Sequence, residues 1–218
     1  MSAPPDPSAL SPFQVEVGRL FFAQPQSEGF LLSGAAGLVA QQLTARPTHD
    51  LDLFTSVHGA SVPAARDAFE LAARARGWVV RRIRDSEQFC RLAVSSADSV
   101  VIVDLAVDSP PGRPATATVV GPTLAADDLV GRKVAALFSR AEARDFVDVF
   151  TLAGSYNRPR LLTLAVEQDA GFDRGVFAQM LRSLARFADA ELPCEPQLAT
   201  RVRTFFAGWA DELETTQP

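Results

Sequence analysis

Two aspartates one residue apart, in the stretch Asp50-Leu51-Asp52-Leu53-Phe54, are the sharpest chemical signal in this sequence. On a β-strand, residues two apart project to the same side. The two carboxylates would then crowd together, which costs free energy unless a cation lies between them. Mg²⁺ is suited to that place, because it takes one or two carboxylates and completes its shell with substrate phosphate oxygens. An edge strand with a solvated acidic face would give the same pattern. Upstream, Ser33-Gly34 separates a short apolar run from a helix-like segment. Such a small-residue turn lets backbone N–H groups approach a phosphate at a helix N-terminus, although alone it is an ordinary turn. Downstream, Asp104 interrupts Val101-Ile102-Val103-Asp104-Leu105. It is either a surface position of an alternating strand or the third carboxylate of a two-metal site. Asp108 is a poorer candidate for that third place, at the strand's end beside Ser109-Pro110.

A second group lies further on. Of 21 basic residues, 20 are arginine and one, Lys133, is lysine. A codon bias toward G and C accounts for that skew, yet a compact ammonium on a phosphate is not readily replaced by a planar guanidinium. Lys133 and Arg140 are seven apart on a helical pattern and share a face, while Val134, Leu137 and Phe138 lie on another. Asp145 falls in the first turn of the next helical segment, where a carboxylate is favoured. Asp148, three residues on, shares its face. Arg140 with Asp145 or Asp148 is also the pattern of a structural salt bridge. If Lys133 acts by charge placement, Lys133→Ala is expected to fold normally and to be nearly inactive.

The elements that must position these residues can be read along the chain. Ser11-Pro12 starts a helix, with Ser as N-cap and Pro at the first helical position, running to about Ala23. Gly29 to Leu32 reads as a buried strand, Ala35 to Leu43 as a helix, and Asp50 to Phe54 as a strand with its acids on one face. Val62 to Arg76 is an Ala-rich helix stopped by Gly77. Trp78–Ile83, Gln88–Val94 and Val100–Val107 read as three strands, the last two joined by a hairpin turn over Ser95–Ser99. From Leu124 the pattern is helical: Leu124–Ser139, Ala143–Ala153, then stretches near 160–169, 173–190 and 196–213, with a loose end from Glu214. This describes an α+β protein, a mixed sheet with flanking helices followed by a helical lobe. The boundary falls in 109–123 or near 155–159; the domain reading taken is a flexible leader over 1–11, an α/β lobe over 12–122 and a helical lobe over 123–218 that completes the active site.

Composition narrows the function. Residues of the hydrophobic set make up 47% of the 218-residue chain and charged residues 22%, a globular balance that excludes wholesale disorder. A net charge of −5 excludes an overall basic footprint for nucleic acid while permitting a local basic face. If the partner is RNA, arginines should cluster around the cleft, with Arg81, Arg82 and Arg84 on one strand, and Arg174, Arg182 and Arg186 at helical spacing, as weaker candidates. The nearly apolar run Gly29–Ala40, 12 residues long, is too short to span a bilayer. The N-terminal MSAPPDPSALSP has neither the basic nor the apolar region of a secretory signal. The expectation is a cytoplasmic protein with no membrane partner, its Cys90 and Cys194 reduced. With two histidines, no Ser–His–Asp or Cys–His set is evident.

Strand, Ser-Gly, helix, then a D-x-D strand 16 residues after Gly34, then a later strand aspartate resembles the layout of the polymerase β-type nucleotidyltransferase superfamily. The segment from Lys133 through Leu137, Arg140, Arg144, Asp145 and Asp148 resembles the K-x-x-A-L-x-x-R…R-D-x-x-D-L pattern of the AbiEii-type family, which includes the MenT toxins of bacterial toxin–antitoxin pairs. Phe30-Leu-Leu-Ser33-Gly34-Ala-Ala-Gly-Leu38, followed by His49-Asp50-Leu-Asp52-Leu-Phe54, is similar to that family's G-G-x-x-L…S-x-D-L-D-L-F opening. The likeness spans residues 30 to 155.

The resemblance implies a Mg²⁺-dependent enzyme that transfers a nucleoside monophosphate from an NTP to an acceptor hydroxyl. The acceptor would be the 3′ end of tRNA, the outcome growth arrest, and a cognate antitoxin protein the partner. Ser33 and Gly34 would hold the nucleotide phosphates, and Asp50 and Asp52 the metal, joined by Asp104. Lys133 would contact the triphosphate with Arg140 nearby, and Asp145 would be the late acidic residue of the site. The sequence departs from the pattern at Ser33, where the family has glycine, and at Ala35, where it has a hydroxyl residue; His49 stands at the family's basic or polar position before D-x-D but reads rather as an exposed loop histidine. A small-molecule nucleotidyltransferase, or a silent relative that only binds nucleotide or a partner, stands as the alternative.

Overall fold

The computed structural model describes residues 10–56 and 60–215. The chain divides into two compact units, Met1–Leu129 and Val130–Pro218. The first contains helices α1 (Pro12–Phe22), α2 (Gly34–Ala40) and α3 (Val62–Ala75), and strands β1 (Leu31–Ser33), β2 (Asp50–Ser56), β3 (Val79–Asp85), β4 (Phe89–Ser95), β5 (Val100–Asp108), β6 (Thr116–Ala117) and β7 (Pro122–Thr123). Among the described residues these strands form one seven-stranded mixed sheet in the order β3-β4-β5-β2-β1-β7-β6. The long strands and the leading helices lie within a few residues of their expected positions. The expected leader is, apart from Leu10 and Ser11, outside the described residues.

Local chemistry explains the main elements. Ser11 caps α1 with a reciprocal capping box to Gln14, and Pro12 follows at the first helical position. The α3 helix is capped by Ser61, and Gly77 beyond it adopts φ +76°, which a side chain would oppose. The β4–β5 hairpin closes through a bond from the Ser96 N–H to the Ser99 carbonyl. The short β6 and β7 were not expected from sequence; at two residues each they are too brief to show a period.

Period-two alternation decides the two faces of the sheet. Leu51 and Leu53 of β2, Val101, Val103 and Leu105 of β5, and Leu92 and Val94 of β4 all point into one core with Val17 and Phe21 of α1 and Phe69 of α3. Each fully buried Leu or Phe there contributes about 2 kcal/mol through the apolar surface it removes from water. The opposite face carries Asp50, Asp52, Asp104 and Arg91, so the packing that builds the core also holds the charged set outward.

Helix α4 (Ala126–Ser139) runs across the division between the units. At its start, Asp128 is fully buried and accepts bonds from the N–H groups of Gly112 and Arg113 and from the Arg113 guanidinium, tying down the loop after β5. The second unit continues with α5 (Ala143–Leu152), α6 (Arg158–Gln168), α7 (Arg174–Arg182) and α8 (Pro196–Thr215). The helix expected over 173–190 ends as α7 at Arg182 and passes into a 3₁₀ turn over Ser183–Arg186. The chain end is helical through Thr215, further than expected. An aromatic cluster of Phe146, Phe177, Phe205, Phe206 and Trp209 forms the centre of this unit. Gly131 is where α4 meets α6, since a Cβ there would lie 2.5 Å from the Leu164 carbonyl oxygen.

Candidate active site

The sheet register brings the first-unit acids together. β2 and β5 pair in parallel with Asp52 opposite Asp104, and β1 pairs antiparallel to β2 with Ser33 opposite Asp52. Asp50 lies two residues before Asp52 and on the same face. Asp104 is buried, and on its other side β4 presents Arg91 at the paired position. Arg91 grips Asp104 with two parallel bonds, Nε to Oδ1 at 2.7 Å and Nη2 to Oδ2 at 2.6 Å. This bond raises the Arg91 pKa above its ordinary value despite some burial, helped by the negative charges of Asp104, Asp50 and Asp52. Asp50 is fixed by the hydroxyl of Thr48, and the Thr48 carbonyl in turn accepts from the Gln14 side chain of α1 at 2.9 Å.

Gly34 has a steric reason to be glycine. Its φ is +58°, and a Cβ built on it would lie 1.7 Å from Oδ2 of Asp52. The turn therefore presses its backbone against the Asp52 carboxylate. Ser33 precedes α2 at the cap position without spending its hydroxyl on the helix, since no side-chain cap bond is formed there. His49 is exposed, and its carbonyl accepts from the Ile102 N–H at 3.2 Å, so its backbone is part of the β2–β5 ladder.

Among the described residues no three His, Cys, Asp or Glu side chains gather as a complete metal shell. Asp50 and Asp52 nevertheless offer hard oxygen ligands on one face, and a guanidinium already stands as a positive charge among the acids. That donor set fits a hard divalent cation that takes two carboxylates and fills the rest of its shell with phosphate oxygens. Asp104, expected as a third ligand, has both its oxygens on Arg91.

In the second unit, Lys133, Arg140, Asp145 and Asp148 meet as one ion cluster. The Lys133 ammonium lies 2.9 Å from Asp148 Oδ2 and 3.4 Å from Asp145 Oδ1. Arg140 binds Asp145 with Nε at 2.8 Å and Nη2 at 2.9 Å. Both carboxylates are fully buried and Lys133 is only 8% exposed. The helical spacing of Lys133 with Arg140, and of Asp145 with Asp148, thus creates a joint between α4 and α5. The expectation that Lys133→Ala folds normally is corrected by this burial: the side chain holds up two carboxylates that have lost their water. Arg182 pairs with Asp211 and Glu214 of α8, and Arg186 binds the carbonyls of Arg140 and Ala141, so these two arginines clamp the helices of this unit to one another.

Arg91 and Thr48 carry no motif that marks them as site residues. The sequence does carry a signal for Arg91: counting outward from the Ser96–Ser99 turn places it opposite Asp104, the only basic and acidic residues in the stretch over which β4 and β5 pair.

A family model described as "Nucleotidyl transferase AbiEii toxin, Type IV TA system" matches residues 19–215. The chain belongs to the AbiEii nucleotidyl transferase toxin family. The structure of JHP933 from Helicobacter pylori is similar with a TM-score of 0.57 at 15% identity, covering 95% of this chain and 96% of that one. MenT4, a nucleotidyltransferase toxin of Mycobacterium tuberculosis H37Rv, is similar with a TM-score of 0.61 at 18% identity, covering 93% of this chain and 89% of that one. At such identities the likeness establishes the shared fold. A search of curated proteins finds no match. Membership makes this AbiEii chain a nucleotidyltransferase, with an NTP substrate and an antitoxin partner implied by the toxin–antitoxin family, which generally works with a divalent metal. No helix among the described residues is long and apolar enough to cross a membrane.

For this AbiEii enzyme, Gly34→Ala should displace the Asp52 carboxylate. A misplacement of about 1 Å at a reacting centre costs on the order of a hundredfold in rate, and the left-handed backbone adds about 1–2 kcal/mol of strain. Nucleotide-transfer rates and melting curves of the variant check this; unchanged values for both would refute the close approach.

Proposed function

We propose that this AbiEii-family protein transfers a nucleoside monophosphate from an NTP to an acceptor hydroxyl with release of pyrophosphate, that the divalent ion is Mg²⁺, and that the acceptor is the 3′ end of a tRNA. The observation that carries the reading is the parallel register that sets Asp52 beside Asp104 on one open face, with Asp50 next to them and the Gly34 backbone against Asp52. Asp50 and Asp52 would hold the ion. When bound, it would lower the pKa of the attacking hydroxyl and neutralise charge on the phosphates. The residues do the rest. The Ser33-Gly34 turn offers a hydroxyl and backbone close to Asp52, where phosphate oxygens would be oriented. In the second unit, the reading gives the triphosphate to Lys133, which has one ammonium donor left after Asp145 and Asp148. Arg140 stands beside it, and Asp145 orients both cations. Cytoplasmic location and a cognate antitoxin protein complete the proposal.

An RNA acceptor is supported by how β3 sorts its arginines. Arg82 turns to the helix side, into a network with Glu70, Asp67 and Asp85. Arg81 and Arg84 turn to the face of Arg91 and Asp104, are exposed, and among the described residues have no carboxylate partner. Arg84 lies over the ring of Phe89, 5.3 Å from its centroid. Exposed guanidinium groups beside an aromatic ring suit a single-stranded phosphate backbone with stackable bases.

The test is to incubate the purified protein with each α-labelled NTP in turn, in a cell extract and with bulk tRNA, and to identify the labelled macromolecule. Labelled tRNA that disappears in EDTA is expected; a labelled small molecule would overturn the RNA reading. In binding assays on the same RNA, the double variant Arg81→Ser with Arg84→Ser should lower the slope of log K against log salt by about 1.4, two single-strand phosphate contacts. RNA binding that does not respond to salt at all would point instead to a small acceptor.

A further inference from the structure

We propose that Arg91 is a built-in counter-cation that keeps Asp104 from the divalent ion until the nucleotide's phosphates draw the guanidinium away, so that metal and nucleotide bind cooperatively. The inference rests on the nucleotidyltransferase reading of the first-unit site.

Three strands place the participants on one face: Asp52 on β2, Asp104 on β5 and Arg91 on β4 at successive paired positions. The bidentate grip takes both Asp104 oxygens. The Asp104 side chain is 7% exposed while that of Arg91 is 46% exposed. The acid is thus held rigidly in the sheet, and the arginine, anchored only at its tip, has open space to swing into. Arg91 also feels the charges of Asp50 and Asp52, although it bonds neither.

The charges then dictate an order of events. Arg91 neutralises Asp104 and adds a positive charge beside Asp50 and Asp52, so a divalent ion alone would approach against its repulsion. A triphosphate reverses the balance. Its oxygens match the planar fork that Asp104 now occupies, so they can take over the guanidinium and leave Asp104 to the ion. A structural cross-strand pair would contribute to stability without any such coupling. The exposed arginine side makes that contribution small.

The test is Mn²⁺ titration followed by electron paramagnetic resonance, without and with the α,β-methylene analogue of each of the four NTPs, which cannot be cleaved at the transferred phosphorus. Wild type should bind Mn²⁺ weakly alone and tightly with the analogue. Arg91→Gln, which keeps much of the side chain's reach without its charge, should bind Mn²⁺ alone roughly fivefold tighter, the scale of one part-exposed charge pair, and should gain less from the analogue. Arg91→Lys should fall between the two and serves if Arg91→Gln is poorly folded by circular dichroism. In an Asp104→Asn background, Arg91→Gln should no longer tighten Mn²⁺. Folded Arg91 variants that bind Mn²⁺ alone no more tightly than wild type overturn the counter-cation role and leave the nucleotidyltransferase reading standing. A wild type that transfers no nucleotide and binds no Mn²⁺ even with the analogues overturns the site reading itself.

Discussion

Asp52→Ala is expected to lose nucleotide transfer by on the order of a thousandfold, the scale of removing one preorganised charge partner from a transition state, while its melting curve stays close to that of wild type. The structure separates the two effects. Asp52 points to the open face and is half-buried, whereas its neighbours Leu51 and Leu53 are fully buried and hold β2 in the core. Removing one of two crowded like charges also relieves repulsion. The remaining Asp50 would be left as the only strand-β2 ligand, too little to hold an ion in line with a phosphate. Asp52→Asn, with the same shape and no charge, should behave likewise. Wild-type rates for either variant, or for the unaltered protein in excess EDTA, would sink the metal-site reading.

Lys133→Ala should instead strike stability first. The ammonium lies 2.9 Å from Asp148 and shares Asp145 with Arg140, and both carboxylates are fully buried. Removing one member of a buried ion cluster leaves uncompensated charge and costs about 3–5 kcal/mol. The double variant Lys133→Met with Asp148→Asn should recover much of that loss, because the buried charge facing the lysine is removed together with it. A pH dependence follows. Burial alone would raise the Asp145 pKa, but the Arg140 hydrogen bonds and the nearby Lys133 charge outweigh it and hold the carboxyl below its ordinary value. A lowered folded-state pKa contributes stability that is fully present above the unfolded value, about 4, and is lost as the pH falls through the folded value. Without Lys133, Asp145 should protonate at higher pH, so the variant's acid transition should begin earlier. Urea melts of both proteins between about pH 3 and pH 7 measure this. Superimposable curves would mean that the lysine is not the support its burial indicates. Transfer rates of this variant carry information on chemistry only after the folded fraction has been measured.

Much of the fold was legible from short-range pattern. The period-two run at Asp50–Ser56, the Ser11-Pro12 start and the Ser61 cap each depend on residues within a turn or two of one another, and local energies decide them. The same holds for the facing of Lys133 with Arg140, because helical spacing alone puts them on one side. The likeness of these motifs to the AbiEii pattern points to the enzyme class without any knowledge of strand pairing.

Long-range pairing was not legible in this way. That Asp52 sits beside Asp104 depends on a parallel register between strands separated by a whole helix and a hairpin, and that register is set by which leucines and valines fit the core. The bond from Arg91 to Asp104 follows from the hairpin register, which a turn assignment alone does not specify to the residue. Whether Lys133 was a solvated lysine or a buried one rested on the packing of α4 against α5, which spacing along one helix cannot reveal. Composition and period determined which side chains would share a face; tertiary packing decided which of those faces lost its water, and with it which charges needed a partner.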